Sequence, residues 1–570
     1  MSSIQRFKLA LNAASIPLVS TKAPRATVIP HADSAQRTPM AFMGNVHSID
    51  FNMAQVIYAE NVVPVAEGLR SVGYQTFINA TAFNNFDSIF PLRDENENHI
   101  LFSPGKGSNY IHNPVTNLWA TSPPIETIQG RTLHASSIPG NSSVTYAYVD
   151  GQTFVCYSRL RSNDATAIDM SLFRWDPVAR TLVATTTFIT NVPFAAGTID
   201  GISSSSGFLI MWSGIEVAWA AFDGTSFNFS PFANNAFTGS GRQIPEDIKG
   251  AITAILGIAG GFVIFTSRNA ISATFHANSV ASPWTFREIP GVGGLLSYEQ
   301  ATVDATLSRL VAYTSAGIQS INLNSGTAAH PDVSDFIAGR QFEIYSPAHK
   351  DFEPVASTVD LYTKINTIGN RYLVVSYGTF PGIFSFALIY DAQLERWGKL
   401  KVAHVDCFNY VYPAPAAQIP YGMLVDVSYG ATAPRQYDQM SVTNTGVTAA
   451  QHSMAFLLST GEVRVAAWSN TTVPVENQST VVIGRVQLAR TRNTQLNKIE
   501  LEGVKDANVF IQASANGRVI DRVIPTTALQ RAEDYLEVGC LVDCKNFNIV
   551  IEGTFNLSTV IVEALPTGRL

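Results

Sequence analysis

A two-strand unit recurs along the middle of this chain and constrains the fold more than any single residue does. An apolar strand leads into a tight turn, then a second apolar strand, then a polar segment that often carries an aromatic. The unit reads Gly207-Phe-Leu-Ile-Met-Trp-Ser-Gly followed by Ile215-Glu-Val-Ala-Trp-Ala-Ala-Phe-Asp. It returns as Gly261-Phe-Val-Ile-Phe-Thr-Ser-Arg with Asn269-Ala-Ile-Ser-Ala-Thr-Phe, and as Ser308-Arg-Leu-Val-Ala-Tyr-Thr-Ser with Gly317-Ile-Gln-Ser-Ile-Asn-Leu. Self-similar units several strands long point to the blades of a β-propeller.

Earlier copies read His99-Ile-Leu-Phe-Ser with Asn109-Tyr-Ile-His-Asn-Pro, and Gln152-Thr-Phe-Val-Cys-Tyr with Met170-Ser-Leu-Phe-Arg-Trp-Asp-Pro. Later ones read Tyr372-Leu-Val-Val-Ser-Tyr with Phe384-Ser-Phe-Ala-Leu-Ile-Tyr-Asp, and Ser453-Met-Ala-Phe-Leu-Leu with Glu462-Val-Arg-Val-Ala-Ala-Trp. An Asp or Asn stands at or near the end of most second strands: Asn113, Asp176, Asp223, Asn278, Asn322 and Asp391. Both residues favour strand-to-turn transitions because they bond to nearby backbone. Trp119, Trp175, Trp284 and Trp397 near the unit ends read as packing between blades.

The expectation is therefore an all-β chain with six to seven blade-like repeats over residues 76–470. Residues 1–75 read as an irregular arm. It has a weak helix-like patch at Ser2–Ala14 and a strand at Val46–Tyr58 that is a candidate for closing the ring. Over residues 471–570 the texture changes to short strands: Val481–Ala489, Asn497–Glu502, Asn508–Ala513, Arg518–Val523, Phe547–Glu552 and Ser558–Ala564. That pattern fits a small antiparallel β-sandwich.

The 570 residues are 46% hydrophobic and only 14% charged, with a net charge of −7. A usual charged share is about 25%, so much surface is expected to be covered. The acidic balance argues against gripping the outside of nucleic acid. It leaves room for a pore through which DNA slides. Four cysteines, Cys156, Cys407, Cys540 and Cys544, form no Cys-x-x-Cys pair and read as small buried hydrophobes. No secretion signal is evident at the N-terminus. The longest apolar run, 250–267, is broken by Gly257, Gly260 and Gly261 and reads as a hairpin rather than a membrane span.

The sequence carries no recognisable catalytic, cofactor-binding or metal site. Gly105-Lys106-Gly107 lacks the spacing of a phosphate cradle, and Gly257-Ile-Ala-Gly260-Gly261 lies between strands. His404 and Asp406, with Cys407 beside them, would share one strand face but lack further ligands. Asp223-Gly-Thr-Ser-Phe227 has letters of a sialidase box at the wrong spacing, and no nucleophile elbow occurs. Asn141-Ser-Ser and Asn556-Leu-Ser fit glycosylation sequons.

Three further segments read as structural phrases rather than catalytic signatures. The first is Glu60-Asn-Val-Val-Pro64, continuing through Glu67-Gly68 to Ser71-Val-Gly-Tyr74. The second is Leu388-Ile-Tyr-Asp391, Arg396-Trp-Gly-Lys-Leu400 and His404-Val-Asp-Cys407, similar to a phrase of virion structural proteins. The third runs from Gly484-Arg-Val-Gln-Leu-Ala-Arg through Glu500-Leu-Glu-Gly503 to Gly553-Thr-Phe-Asn-Leu557. Together these segments resemble tail nozzle proteins of short-tailed bacteriophages, the tail tubular protein B-like family.

The resemblance implies a non-enzymatic virion subunit made in the host cytoplasm. It implies a homohexameric ring below the portal and adaptor proteins, near tail fibres or spikes, that retains and conducts DNA during ejection. No cofactor is implied. The alternatives are a receptor-binding or glycan-active propeller of a tail fibre, and a cellular protein-binding propeller.

Overall fold

The computed structural model describes residues 56–78, 88–122, 143–158, 171–303, 310–329, 362–412, 451–467 and 479–569, apart from short internal stretches. It also describes isolated strands at 5–10, 27–28, 343–346 and 351–354. The described residues are strands and turns, with a single 3-10 turn at Tyr298–Gln300.

Six free-standing four-stranded antiparallel sheets stand in a ring. In chain order the first is Phe90–Arg93, His99–Gly105, Ser108–Asn113 and Leu118–Ser122, and the second runs from Ser143–Val149 to Thr181–Ala184. The third spans Gly201–Ser205 to Gly241–Gln243, the fourth Ile252–Ile258 to Trp284–Glu288, and the fifth Ala301–Val303 to Gly326–Ala329. A further four-stranded set follows: Tyr362–Ile368, Tyr372–Gly378, Phe384–Asp391 and Arg396–His404. It belongs to the ring but continues into the terminal sheet through one residue pair, Lys399 with Val62. The last sheet is Asp406–Tyr412, Gln451–Leu457 and Val463–Ala467, completed by Gly73–Ile78 from near the start of the chain.

The recurring unit is the second and third strand of each blade. These are the fully apolar ones because neighbouring blades cover both their faces. Phe208–Ser213 and Gly261–Thr266 are buried nearly end to end. Two-residue turns join first to second strands where the sequence supplies φ above zero. Asp150-Gly151 and Ser206-Gly207 have φ of 50° and 72°, and 51° and 80°, as a type I′ hairpin needs. The third strands end on Asn113, Asp176, Asn322 and Asp391. Asp176 Oδ1 accepts the Val178 and Ala179 N–H groups, and Asp223 Oδ1 accepts those of Thr225 and Ser226. Asn278 lies outside the described residues.

Apolar clusters seal each blade against the next. Phe90, Phe102, Phe173 and Trp175 join the first and second, and Phe154, Leu209 and Phe227 the second and third. Trp212, Phe262 and Trp284 follow, then Phe265, Leu295 and Leu310. Val311 packs on Ile365 and Val375, and Val374 on Met454 and Phe456. Ile89 and Trp119 meet Phe408 and Leu457, which closes the circle. Each such side chain contributes about 1.5–3 kcal/mol on full burial. Trp119 Nε1 donates to Gly461 O at 2.7 Å and Trp175 Nε1 to Arg93 O at 2.8 Å, so these tryptophans pin adjacent blades.

Most of the remaining described strands form one largely antiparallel sheet around its own core of Leu496, Ile499, Ile511, Val538, Ile549 and Val562 among others. Two long strands dominate it, Arg492–Ser514 and Asn546–Arg569. They replace the separate short strands that the sequence suggests. Gly503 (φ 84°) and Gly553 (φ 147°) are the reason. They look like chain breaks but sit beside bulges that bend a continuous strand. Cys540 and Cys544 are buried in the strand Tyr535–Cys544, as a strand reading requires.

The N-terminal segment also departs from its sequence reading. Gln5–Ala10 is a strand on the edge of the long C-terminal strand, not helix. Ring closure falls to Gly73–Ile78, while Val56–Glu60 joins the terminal sheet beside Ser479–Gln487. Residues 46–55 lie outside the described residues.

Candidate functional site

Two places concentrate polar groups: the centre of the ring, and the junction between the propeller and the terminal sheet. The innermost strands of several blades converge on a central cavity of about 400 Å³. Phe90 and Tyr146 come from the first two blades, Tyr298 and Glu299 from the 3-10 turn before the fifth. Lys364 and Asn366 lie on Tyr362–Ile368, and Asp406 opens the last sheet.

Lys364 organises the hub. Its Nζ lies 2.9 Å from Asp406 Oδ1 and 3.2 Å from Glu299 Oε1. Burial alone would lower its pKa, but the two carboxylates outweigh it and hold the ammonium above its ordinary value. Asp406 is pinned from three directions. Its Oδ1 also accepts Asn366 Nδ2 at 3.3 Å and Cys407 N at 2.8 Å, and Oδ2 accepts Ile89 N at 2.9 Å. One carboxylate therefore ties the first blade to the last two strand sets.

Glu299 is placed by a capping box in which Ser297 Oγ accepts from Glu299 N and Gln300 Oε1 accepts from Ser297 N. Gln300 Nε2 donates to Thr363 Oγ1 at 2.9 Å and fixes the turn to the next inner strand.

His404 does not join Asp406. The chain bends between them, so they occupy separate strands. The ring of His404 is buried between Phe384 and Phe456, with Nδ1 at 2.7 Å from Val402 O and Nε2 at 2.7 Å from Ser376 Oγ. Burial pushes its pKa down to about 4. Burial likewise raises the Cys407 thiol. Among the described residues no group of three or more His, Cys, Asp or Glu is arranged to hold a metal ion.

Of the glycine-rich candidates, 257–261 forms the hairpin of Ile252–Ile258 and Gly261–Thr266. Gly105 ends a strand, and residues 106–107 lie outside the described residues. Asp223–Phe227 is a turn. Asn556 pairs with Arg70 inside the terminal sheet, while Asn141 lies outside the described residues.

At the junction, Asn61 is the pivot. It is buried with φ 56°, a conformation that Asn tolerates better than most residues. Its side-chain Oδ1 accepts Lys401 N at 2.8 Å, and its carbonyl accepts Val72 N at 3.0 Å and Ser479 Oγ at 2.7 Å. Ser71 Oγ accepts Phe555 N at 2.9 Å, and Leu69 pairs with Leu557. Gly68 faces the Leu557 carbonyl so closely that a Cβ has no room. Lys399 beside this seam is buried with its ammonium 4.6 Å from the Phe386 ring centroid. Burial lowers its pKa to about 8 against the opposing pull of the Glu60 carboxylate.

No family model matches the chain, and no curated protein matches it. Solved structures with a comparable arrangement include the extracellular domain of a hybrid two component system from B. thetaiotaomicron. It is 9% identical with a TM-score of 0.37, over 91% of this chain and 63% of that one. The chain thus spans less than two thirds of that structure's length. The N-terminal domain of Nup159 is 9% identical with a TM-score of 0.33, over 73% of this chain and 99% of that one. An exo-beta-1,3-galactanase from Phanerochaete chrysosporium is 10% identical with a TM-score of 0.26, over 86% and 99%.

Proposed function

We propose that this chain is a structural subunit of a short-tailed bacteriophage tail. Copies would assemble into a nozzle ring, six around the axis, that meets adaptor and portal proteins and conducts DNA during ejection. The observation that carries the reading is where the three nozzle-like segments sit. They lie more than 300 residues apart in sequence for the key contact, Asn61 to Lys401, yet they share one seam. Glu60–Pro64 pairs with the second segment at Lys399, and Leu69 and Arg70 pair with Leu557 and Asn556 of the third. Phrases that are short in isolation thus belong to one structural device, the weld between propeller and terminal sheet.

The propeller hub is not the DNA path in this reading. A cavity of about 400 Å³ is on the scale of a small-molecule site, and charged side chains cross it. DNA would run through a channel between subunits, which the net charge of −7 keeps from binding phosphate tightly. Light scattering of the full chain, alone and mixed with its adaptor protein, tests the reading. A ring mass several times the protomer's 61.7 kDa supports it. A persistent monomer in both samples removes it.

A further inference from the structure

We propose that the hub cavity is a binding site for one neutral sugar, laid against Tyr146 and hydrogen-bonded by Glu299 and Lys364. The volume, about 400 Å³, falls within the roughly 300–1,000 Å³ of ordinary ligand sites and suits one or two sugar rings. The hydrogen-bonding capacity sorts the lining groups. Asp406 already accepts four bonds, from Lys364, Asn366, Cys407 and Ile89, and serves as a fixed wall. Lys364 has three protons, of which Asp406 and Glu299 take two among the described residues. Glu299 engages Lys364 through Oε1, and its side chain remains 41% exposed. The cavity thus offers a ligand one donor and one acceptor held side by side.

The charges decide the ligand class. Lys364, Asp406 and Glu299 sum to −1, which disfavours an anion. A cationic ligand at the remaining Glu299 oxygen would stand beside the Lys364 ammonium, itself 3.2 Å from Oε1, and be repelled by it. A hydroxyl group both donates and accepts, so adjacent hydroxyls match the Lys364–Glu299 pair without a net charge.

The apolar wall completes the match. Tyr146 stands on the inner strand Ser143–Val149 with 44% of its surface open, edge-on to Phe90 at 5.3 Å between ring centroids. An aromatic ring with a polar tip suits a ligand with an apolar C–H face and a hydroxylated rim.

Calorimetric and ligand-observed NMR titration of the full chain with D-glucose, D-galactose and N-acetylglucosamine tests this, with glycine and ethanolamine as charged comparators. Saturable binding of at least one sugar is expected, and Glu299→Ala and Tyr146→Ala should each weaken it about tenfold or more. Tyr146→Phe keeps the ring and should retain most of the affinity. Glu299→Gln keeps the side-chain volume and serves if the alanine variant misfolds. Three results overturn the proposal: no saturable sugar binding, sugar binding that none of these substitutions changes, or preferential binding of the amine. The outcome is independent of ring assembly, because it is read on any oligomeric form.

Discussion

Lys364 and Asp406 make a 2.9 Å ion pair at the centre of the ring, with side chains only 11% and 3% exposed. Removing one member of a buried pair costs far more than the pair contributes, because the other charge is stranded. Asp406→Ala also leaves the Ile89 and Cys407 N–H groups without their acceptor. It should destabilise the fold by about 3–5 kcal/mol, read from the midpoint of urea unfolding. Lys364→Met should cost less, since three N–H donors still hold the Asp406 carboxylate. The reverse order would mean that the carboxylate is not the pin.

Asn61 serves the junction in two ways, by its positive φ and by its side-chain bond to Lys401 N. Asn61→Gly keeps the conformation and loses the bond, for about 1 kcal/mol. Asn61→Ala loses both and should cost about 1 kcal/mol more. Chemical denaturation of the two variants separates the contributions, and equal costs would show that the backbone conformation is immaterial.

His404 is buried neutral, with its pKa at about 4 against an ordinary 6.5. The unfolded chain binds the proton more tightly between these values. Stability therefore falls as pH drops from 6.5 towards 4, by on the order of 3 kcal/mol across the window. His404→Gln, which can still bond Val402 and Ser376, should flatten the slope between pH 6.5 and 4. An unchanged slope would place the acid sensitivity elsewhere.

Lys399 follows the same rule at higher pH. Its folded pKa of about 8 lies below the ordinary 10.5, so the unfolded state holds more protons between them. Stability rises with pH across that window, and below pH 8 the full penalty of the buried charge is present. Lys399→Met keeps the packing on Phe386 without the charge. It should stabilise the protein by about 1–3 kcal/mol at pH 7, and the gain should fade above pH 10.5. A thermal unfolding series against pH reads both effects.

The blades were legible because their middle strands are covered on both faces. Phe208–Ser213 and Gly261–Thr266 cannot be anything but apolar, and Asp176 and Asp223 mark the turns that follow by bonding the next N–H groups. The hub was not legible. Glu299, Lys364 and Asp406 are separated by 65 and then 42 positions that no local pattern connects. His404 and Asp406 looked like partners through their spacing, and a single bend at Val405 sends them to different places. A signal that could have drawn attention to the hub is the polar content of Thr363, Lys364, Asn366 and Thr367 in the strand Tyr362–Ile368, beside the apolar strand Tyr372–Gly378.

Ring closure by Gly73–Ile78 and the weld at Asn61 depend on pairing across most of the chain, which periodicity does not encode. The long terminal strands were hidden for another reason. Gly503 and Gly553 punctuate a sequence as turns do, but in the fold they lie at bends of continuous strands.

The proposed tail-ring role is tested by electron microscopy of the native particle that contains this chain. A ring of copies around a channel wide enough for duplex DNA is expected. The propeller hubs should lie off that axis, and the Asn61–Lys401 seam should sit inside each subunit. A chain found as an isolated monomer, or with the propeller hub itself on the DNA path, would contradict it.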